Sequence, residues 1–208
     1  MEYDLKLVAE PLNEPLTLAA AKRQVGLHEA EAAFDDELKD LMATARIWAE
    51  NARAQCLIEQ TWDLRLPQGF PGWQSLYVMS PYEIRIPRSP LKLPTGGITH
   101  VKYLKTDGAQ DTFAVGAAGY VLGVSGTRAF IMPAYGISWP ATRITIGVNG
   151  EYPVEVRFIA GFGLTPESVP AHIRNAMLLH LEAGYDRDPD HQELLMARAE
   201  ALLWQDRN

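Results

Sequence analysis

The sequence predicts an α+β protein in which helices near both ends of the chain form a bundle, with an antiparallel β module inserted between them. Two observations support this. The hydrophobic period is near 3.6 residues in the end segments and near two between them. The charge changes at the same places, with −6 over residues 1–60, +3 over 61–165 and −4 over 166–208. We therefore assign residues 1–60 and 166–208 to a helical bundle and residues 61–165 to the β module.

The composition favours an ordinary folded protein. The chain has 208 residues, of which 47% are hydrophobic and 22% charged, so one domain with an insertion is expected. It contains no apolar run of the roughly 18–20 residues that a membrane-spanning helix needs. The only cysteine, Cys56, excludes an intrachain disulfide and a cysteine-based zinc site. No signal peptide is visible, which predicts folding in the cytoplasm.

Two helices are predicted before residue 61. Residues 16–25 are alanine-rich and follow Thr17, a good N-cap residue. Asp35 and Asp36 open a longer helix, where helix capping is preferred over an acid–base pair because adjacent helical residues point about 100° apart. The buried face of this helix is predicted to comprise Leu38, Leu41, Met42, Ala45, Trp48, Ala49, Ala52 and Cys56.

Short strands are predicted through the middle of the chain. They cover residues 61–66, 82–86, 98–104, 111–115, 120–124, 128–132 and 154–159. Proline and glycine separate these segments, and Asp107-Gly108 between two alternating runs indicates a hairpin. Many short strands at close spacing favour a compact antiparallel sheet or a small sandwich.

The helical pattern returns after Pro166. Pro170 suits a helix start, and one apolar face follows from Ile173 through His180 to Gly184. The acidic segment 186–190 breaks this helix, and a last amphipathic helix covers about 192–204.

No catalytic, cofactor-binding or metal-binding residues are predicted. The glycine-rich segment 116–126 lacks the Lys-Ser/Thr pair of a phosphate-binding loop, and Ser125 is not in a nucleophile elbow. Asp186, Asp188 and Asp190 have the first spacings of a calcium loop. Because the required later Gly and Glu are replaced, an acidic interhelical turn is preferred there. His180, on an apolar helix face, is interpreted as a core or interface histidine.

The tryptophans leave two interpretations open. Trp62, Trp73 and Trp139 lie in or beside strands and turns, where they close a small core or face a partner. Trp204, directly after Leu202-Leu203, docks either onto its own bundle or onto another subunit.

Several segments carry a family resemblance. They are Glu14–Lys22, the Asp35-Asp36 helix start, Ala52–Trp62, Ile86–Leu91, Ser138–Ala141, Val156–Gly163 and Val169–Arg174. In this order they resemble the head–tail connector, or adaptor, proteins of long-tailed bacteriophages and gene transfer agents. More narrowly, they resemble a subgroup of phage proteins of uncharacterised function that is linked to DNA packaging. The large β insertion departs from the smallest family members, which are nearly all helical.

This resemblance implies a virion structural protein of the head–tail junction rather than an enzyme, made in the host cytoplasm, with no cofactor and no membrane association. Such adaptors form a ring, commonly twelvefold, beneath the portal protein. The ring extends the DNA channel, lets DNA pass without specific binding, and receives the next neck or stopper protein. The family's C-terminal tail reaches into the portal, which here implies Leu202, Leu203, Trp204 and Arg207. Removing residues 201–208 is then expected to leave a folded protein without portal binding.

Two other functional classes stay open. A β module that binds a carbohydrate or a protein would use the tryptophans as stacking platforms. A small hydrolase would need a pocket with converging polar groups.

Overall fold

The computed structural model describes residues 3–72, 82–93, 96–125, 128–143 and 151–205. The chain divides into two compact units. The β unit comprises Met1–Glu10 and Gln60–Gly161, and the helical unit comprises Pro11–Glu59 and Phe162–Asn208. The chain therefore passes from one unit to the other three times. The predicted α+β class is confirmed, and the predicted order of helices, strands and helices holds except for one strand that precedes the first helix.

The helical unit contains the four helices expected from the apolar periodicity. They are α1 (Leu18–Gln24), α2 (Asp35–Arg53), α3 (Ala171–Tyr185) and α4 (Pro189–Leu203), with a short 3-10 turn at Pro166–Ser168. The Thr17 side chain caps α1, accepting a hydrogen bond from the backbone N–H of Ala20 at 3.2 Å. None of the helices in the described part of the chain is long and apolar enough to span a membrane.

The helices bury one apolar face each in a common core. The fully buried large side chains of this core are Leu38, Leu57, Ile58, Ile173, Met177, Leu181 and Leu203. Each contributes about 1.5–3 kcal/mol by leaving water. The predicted face of α2 is confirmed at Leu38, Met42, Ala45 and Ala49, whereas Ala52 is exposed. Cys56 is also buried, but it is not part of the helix. Helix α2 ends at Arg53, and Ala54 turns the chain with φ +53°.

The β unit contains eight described strands in two antiparallel sheets. They are β1 (Asp4–Ala9), β2 (Gln60–Leu66), β3 (Ile84–Ile86), β4 (Ile98–Leu104), β5 (Gln110–Thr112), β6 (Tyr120–Ser125), β7 (Arg128–Pro133) and β8 (Val154–Ala160). The five-stranded sheet has the order β1-β2-β8-β4-β5, and the three-stranded sheet has the order β3-β7-β6. Strands occur at all seven predicted positions.

Strand β1 was not predicted from the sequence. It pairs with β2, more than fifty residues away, and so belongs to the β unit rather than to the helical segment 1–60. Most of its residues are exposed or half-buried, because it lies at the sheet edge. Its short Leu-Lys-Leu alternation therefore gives only a weak signal.

The predicted hairpin at Asp107-Gly108 is confirmed. Gly108 donates its N–H to the carbonyl of Lys105 at 2.9 Å, and Asp107 accepts from the N–H of Ala109 at 2.8 Å. Gly108 has φ +90°, a conformation that glycine adopts without strain. The turn joins β4 to β5.

Candidate functional site

The C-terminal residues pack on their own helical unit. Leu203 is fully buried, and Leu202 and Trp204 lie half-buried against the helical core. Arg53, at the end of α2, donates through Nη1 to the carbonyl of Leu203. The same guanidinium lies over the Trp204 ring, with its carbon 5.6 Å from the ring centre. Of the two interpretations of Trp204, the structure shows docking onto its own bundle; Arg207 lies outside the described residues.

This packing changes the expected effect of a truncation. Removing residues 201–208 also removes Leu203 from the core, and deletion of a buried leucine side chain costs about 2–5 kcal/mol. The expectation that such a truncation leaves the fold intact is therefore not supported. A truncation that tests portal binding has to spare Leu203 and Trp204.

The acidic turn between α3 and α4 is a capping structure. Asp188 is the N-cap residue of α4, and its carboxylate accepts from the N–H of Asp190 at 3.1 Å. Asp186 accepts from the N–H of Asp188 at 2.9 Å and also contacts the His191 ring. The backbone hydrogen bond from Asp188, followed by the contact with His191, lowers the pKa of Asp186. This arrangement agrees with the predicted acidic interhelical turn.

His180 has the role of a packed side chain. Its ring lies against Trp48, with the ring centres 4.5 Å apart. Burial lowers the pKa of His180, so the neutral ring predominates at pH 7. Among the described residues, no three His, Cys, Asp or Glu side chains are close enough to hold a metal ion.

A buried ion pair joins α1 to the start of α2. The Nζ atom of Lys22, almost completely buried, lies 2.6 Å from an Asp35 carboxylate oxygen and donates to the carbonyl of Glu29 at 3.0 Å. The N-cap position of α2 is occupied by Phe34, which has no capping side-chain hydrogen bond. The interpretation of Asp35 as a capping residue is therefore wrong: it neutralises a buried lysine.

A second ionic cluster lies within the helical unit. Arg46 donates through Nε to Glu14 at 2.9 Å and through Nη1 to Glu50 at 3.2 Å. Glu50 also accepts from the N–H of Leu57 at 2.9 Å. Burial opposes the charge of Arg46, but the two carboxylates outweigh burial and raise its pKa. Only the Arg46–Glu50 spacing of four residues was visible in the sequence.

Charged side chains alternate across the five-stranded sheet. Asp63 accepts two hydrogen bonds from Arg157, at 2.7 and 2.9 Å, and these residues are register partners on β2 and β8. The first row across the sheet is Lys6, Asp63, Arg157 and His100, and the next is Asp4, Arg65, Glu155 and Lys102. Opposite charges on neighbouring strands stabilise the strand pairing. Sequence analysis missed these pairs, because strand order is not readable from the sequence.

The aromatic residues of the β unit pack mainly on one another. Trp139 stacks on Phe70 at 4.6 Å, lies 5.3 Å from Phe113, and donates its indole N–H to the carbonyl of Tyr82 at 2.8 Å. The Arg88 guanidinium lies over the Trp62 ring, with its carbon 5.4 Å from the ring centre. These contacts favour core closure over a carbohydrate platform for both tryptophans. Trp73 lies outside the described residues.

One cleft of the helical unit is lined by apolar and charged side chains. It has a volume of about 690 Å³ and is lined by residues that include Gln24, Phe34, Glu37, Glu182 and Tyr185. Glu182 accepts from the side-chain amide of Gln24 at 2.5 Å. None of the described residues that line the cleft is a serine, cysteine, threonine or histidine. The cleft therefore presents no Ser–His or Cys–His pair.

The two units differ strongly in charge. The helical unit carries 17 acidic and 9 basic side chains, a net charge of −8. The β unit carries 9 acidic and 10 basic side chains, a net charge of +1. Almost the whole negative charge of the protein is thus in the helical unit.

Comparisons with known proteins establish the fold. No protein-family model matches the sequence, and no curated protein matches it. The chain is similar to a solved protein in the neck of an empty gene transfer agent (GTA) particle computed with C6 symmetry, with a TM-score of 0.67, 22% identity and 94% of each chain covered. It is also similar to a protein in the virion of a native GTA particle (TM-score 0.64, 20% identity, 93% of each chain). A third is in the neck of a native GTA particle computed with C12 symmetry (TM-score 0.59, 21% identity, 94% of each chain).

Proposed function

We propose that this protein is a structural component of the neck of a phage-like particle, where it acts as the head–tail adaptor. The observation that carries the proposal is the extent of the structural likeness. It covers 94% of this chain and 94% of a GTA neck protein, and therefore includes residues of both units. The sequence segments that resemble the adaptor family lead independently to the same assignment.

We infer that the adaptor forms a ring under the portal, and the likeness to a protein in a neck computed with C12 symmetry supports this. In this proposal the helical unit lines the ring, and the ring receives the next neck protein on its far side. Contacts in such a ring are heterologous, so one patch on each copy meets a different patch on its neighbour.

The charge of the helical unit suits a DNA channel. If the helical units, each with a net charge of −8, face the lumen, the lumen repels the phosphates of the genome. DNA then passes without specific binding. A basic channel would instead bind the phosphates, because lysine and arginine release counterions from DNA. A lumen lined by lysine and arginine would contradict this part of the proposal.

The contact with the portal is proposed for the extreme C-terminus. Leu203 and Trp204 are engaged in the helical unit, so the residues beyond them are the better candidates for the portal-binding element. Deleting residues 205–208 spares the Trp204–Arg53 contact and is expected to leave the melting temperature unchanged while abolishing binding to purified portal. Arg207→Ala is expected to weaken binding, and Arg198→Ala, on the exposed face of α4, provides the matched control. Full portal binding by the truncated chain would contradict a tail-mediated contact.

The adaptor function is tested by removing the protein from the particle-producing cell. We expect DNA-filled or DNA-leaking heads without tails, as counted by negative-stain electron microscopy, and rescue when the full chain is supplied from a plasmid. Normal tailed particles without the protein would refute the proposed function.

A further inference from the structure

One long segment of the β unit has an unusual lack of charge. Between Phe113 and Thr142 the only charged residue is Arg128, although charged residues make up 22% of the chain. This segment contains β6, β7, the residues that precede β6 and those that follow β7. A solvated surface is normally rich in charged groups, so an uncharged one points to an interface.

Large apolar side chains at one end of the hairpin point into solvent. Val115 is 74% exposed, Tyr135 is fully exposed, and Ile137 is partly exposed. A tyrosine buries about 150–250 Å² when it is covered, so Tyr135 alone could anchor a contact. We call Val115, Tyr135 and Ile137, which lie at the end where β6 begins and β7 ends, the hairpin tip.

The hairpin tip is held in place by its backbone. Ala134 donates to the carbonyl of Gly119 at 2.8 Å, which ties the loop that carries Tyr135 to the loop after Val115. Ile137 donates to Ala134 at 2.9 Å, and Gly116 donates to Tyr120 at 2.7 Å. An apolar group on a fixed loop loses little conformational freedom when it binds, which favours association.

The adjoining strand β6 also lacks the devices that protect a sheet edge. Strand β1 carries Asp4 and Lys6, while β3 and β5 have three residues each and include Arg85 and Asp111. Strand β6 has six residues, none of them charged or proline. Among the edge strands in the described ranges, β6 is the one that is both six residues long and uncharged. Native proteins usually cover such an edge.

The helical unit carries two exposed leucines on segments that a hydrogen bond holds together. Leu12 is 85% exposed and Leu164 is half exposed. The side-chain amide of Asn13 donates to the carbonyl of Leu164 at 3.0 Å, which holds the two segments together. Within the helical unit, residues 162–166 contain no charged side chain. We call Leu12 and Leu164 the leucine patch.

We propose that the hairpin tip of one copy docks on the leucine patch of a second copy of this chain. The inference rests on the proposed ring function and names the two different patches that a heterologous ring contact requires. Charge permits this pairing, because a β unit with a net charge of +1 is not repelled by the neighbour's helical unit of −8. Apolar groups on both sides then leave water together.

Cysteine cross-linking in assembled particles tests the contact. The native Cys56 is buried, so it does not compete for exposed partners. The double variant Tyr135→Cys with Leu12→Cys is expected to give a ladder of multimers on a non-reducing gel. Each single variant, and Tyr135→Cys combined with Leu194→Cys on the exposed side of α4, is expected to give none. Absence of the ladder in tailed particles, or a cross-link from Tyr135→Cys to another neck protein, would overturn the inference.

A charge placed on the hairpin tip provides a second measurement. Tyr135→Asp is expected to reduce incorporation into particles at least tenfold without changing the melting temperature, because the side chain is exposed in the free chain. Leu93→Asp, at another half-exposed leucine of the β unit, is the matched control and should incorporate normally. Normal incorporation of Tyr135→Asp would contradict the docking. Absence of the wild-type chain from particles would instead refute the adaptor function, so the two failures are distinguishable.

Discussion

At the residue scale, two cationic side chains of the helical unit, one buried and one largely buried, are paired with carboxylates. Lys22 reaches back from α1 to Asp35, and Arg46 bridges Glu14 to Glu50. A buried pair is worth little compared with apolar packing, but one partner left alone is costly. These pairs therefore add little net stability. Their main effect is to fix the positions of α1 and of residue 14 relative to α2.

The Lys22–Asp35 pair gives an asymmetric mutational prediction. Asp35→Ala leaves the buried ammonium without its carboxylate, so we expect a loss of about 3 kcal/mol in the free energy of unfolding. Lys22→Met keeps the apolar stem and removes the charge, and is expected to cost clearly less. Urea denaturation measures both. Asp36→Ala, which breaks the exposed pair with Lys39, should have no measurable effect. Equal losses for Asp35→Ala and Lys22→Met would contradict the account.

Buried histidine predicts a pH dependence of stability. Burial lowers the pKa of His180 below the ordinary value of 6.5, so the unfolded state binds its proton more readily. The stabilising contribution is fully present above pH 6.5 and is lost as the pH falls toward the folded-state pKa. His180→Phe keeps a ring against Trp48 and removes the proton. Melting temperatures between pH 7.5 and 5 should therefore fall less in His180→Phe than in the wild type, and an unchanged slope would count against this role.

His100 is expected to contribute to the same pH dependence. Its pKa is lowered by burial first and by the positive charge of Lys102 second, against the opposing effect of Glu155. Its protonation adds a cation to a row that already contains Arg157. The His180→Phe variant should therefore retain part of the wild-type slope.

At the element scale, local patterns in the sequence predicted most of the secondary structure. The alternation and proline–glycine punctuation placed seven strands, and the apolar period placed four helices. Strand β1 and the charge pairs across the sheet could not be predicted, because they depend on pairing between distant segments. Asp35 shows the same limit: its position in the first turn was predicted, but its partner Lys22 lies in another helix.

The end of α4 is expected to be an integral part of the helical core. Leu203→Ala should lower the free energy of unfolding by about 2–5 kcal/mol, because it opens a cavity at a fully buried position. Leu194→Ala, half exposed on the same helix, is the matched control and should cost less than about 1 kcal/mol. Chemical denaturation distinguishes them. Similar small losses for both would mean that the tail is not part of the core.

At the whole-molecule scale, the protein separates an acidic helical unit from a nearly neutral β unit, and the chain connects them three times. The change in charge along the sequence indicated this division. The exact assignment of residues 1–10 did not follow from it, because β1 joins the β unit through long-range pairing. The candidate tail residues were likewise named from a resemblance, whereas the contacts of Leu203 and Trp204 required the structure.

The separation of charge bears on the ring proposed for this chain. In the proposed ring, the surface that faces the channel needs negative charge, whereas the hairpin tip that contacts a neighbour needs to be uncharged. The helical unit provides the first and the β unit provides the second. The hairpin tip and the leucine patch are different surfaces, as a head-to-tail contact requires, and they lie on different units.

The most direct test of the central claim is a cryo-electron microscopy map of the neck of particles that contain this protein, at a resolution that identifies side chains. The account predicts a closed ring of copies beneath the portal, with acidic helical units around the DNA channel. A map in which this chain is absent from the neck, or lines the channel with lysine and arginine, would contradict it.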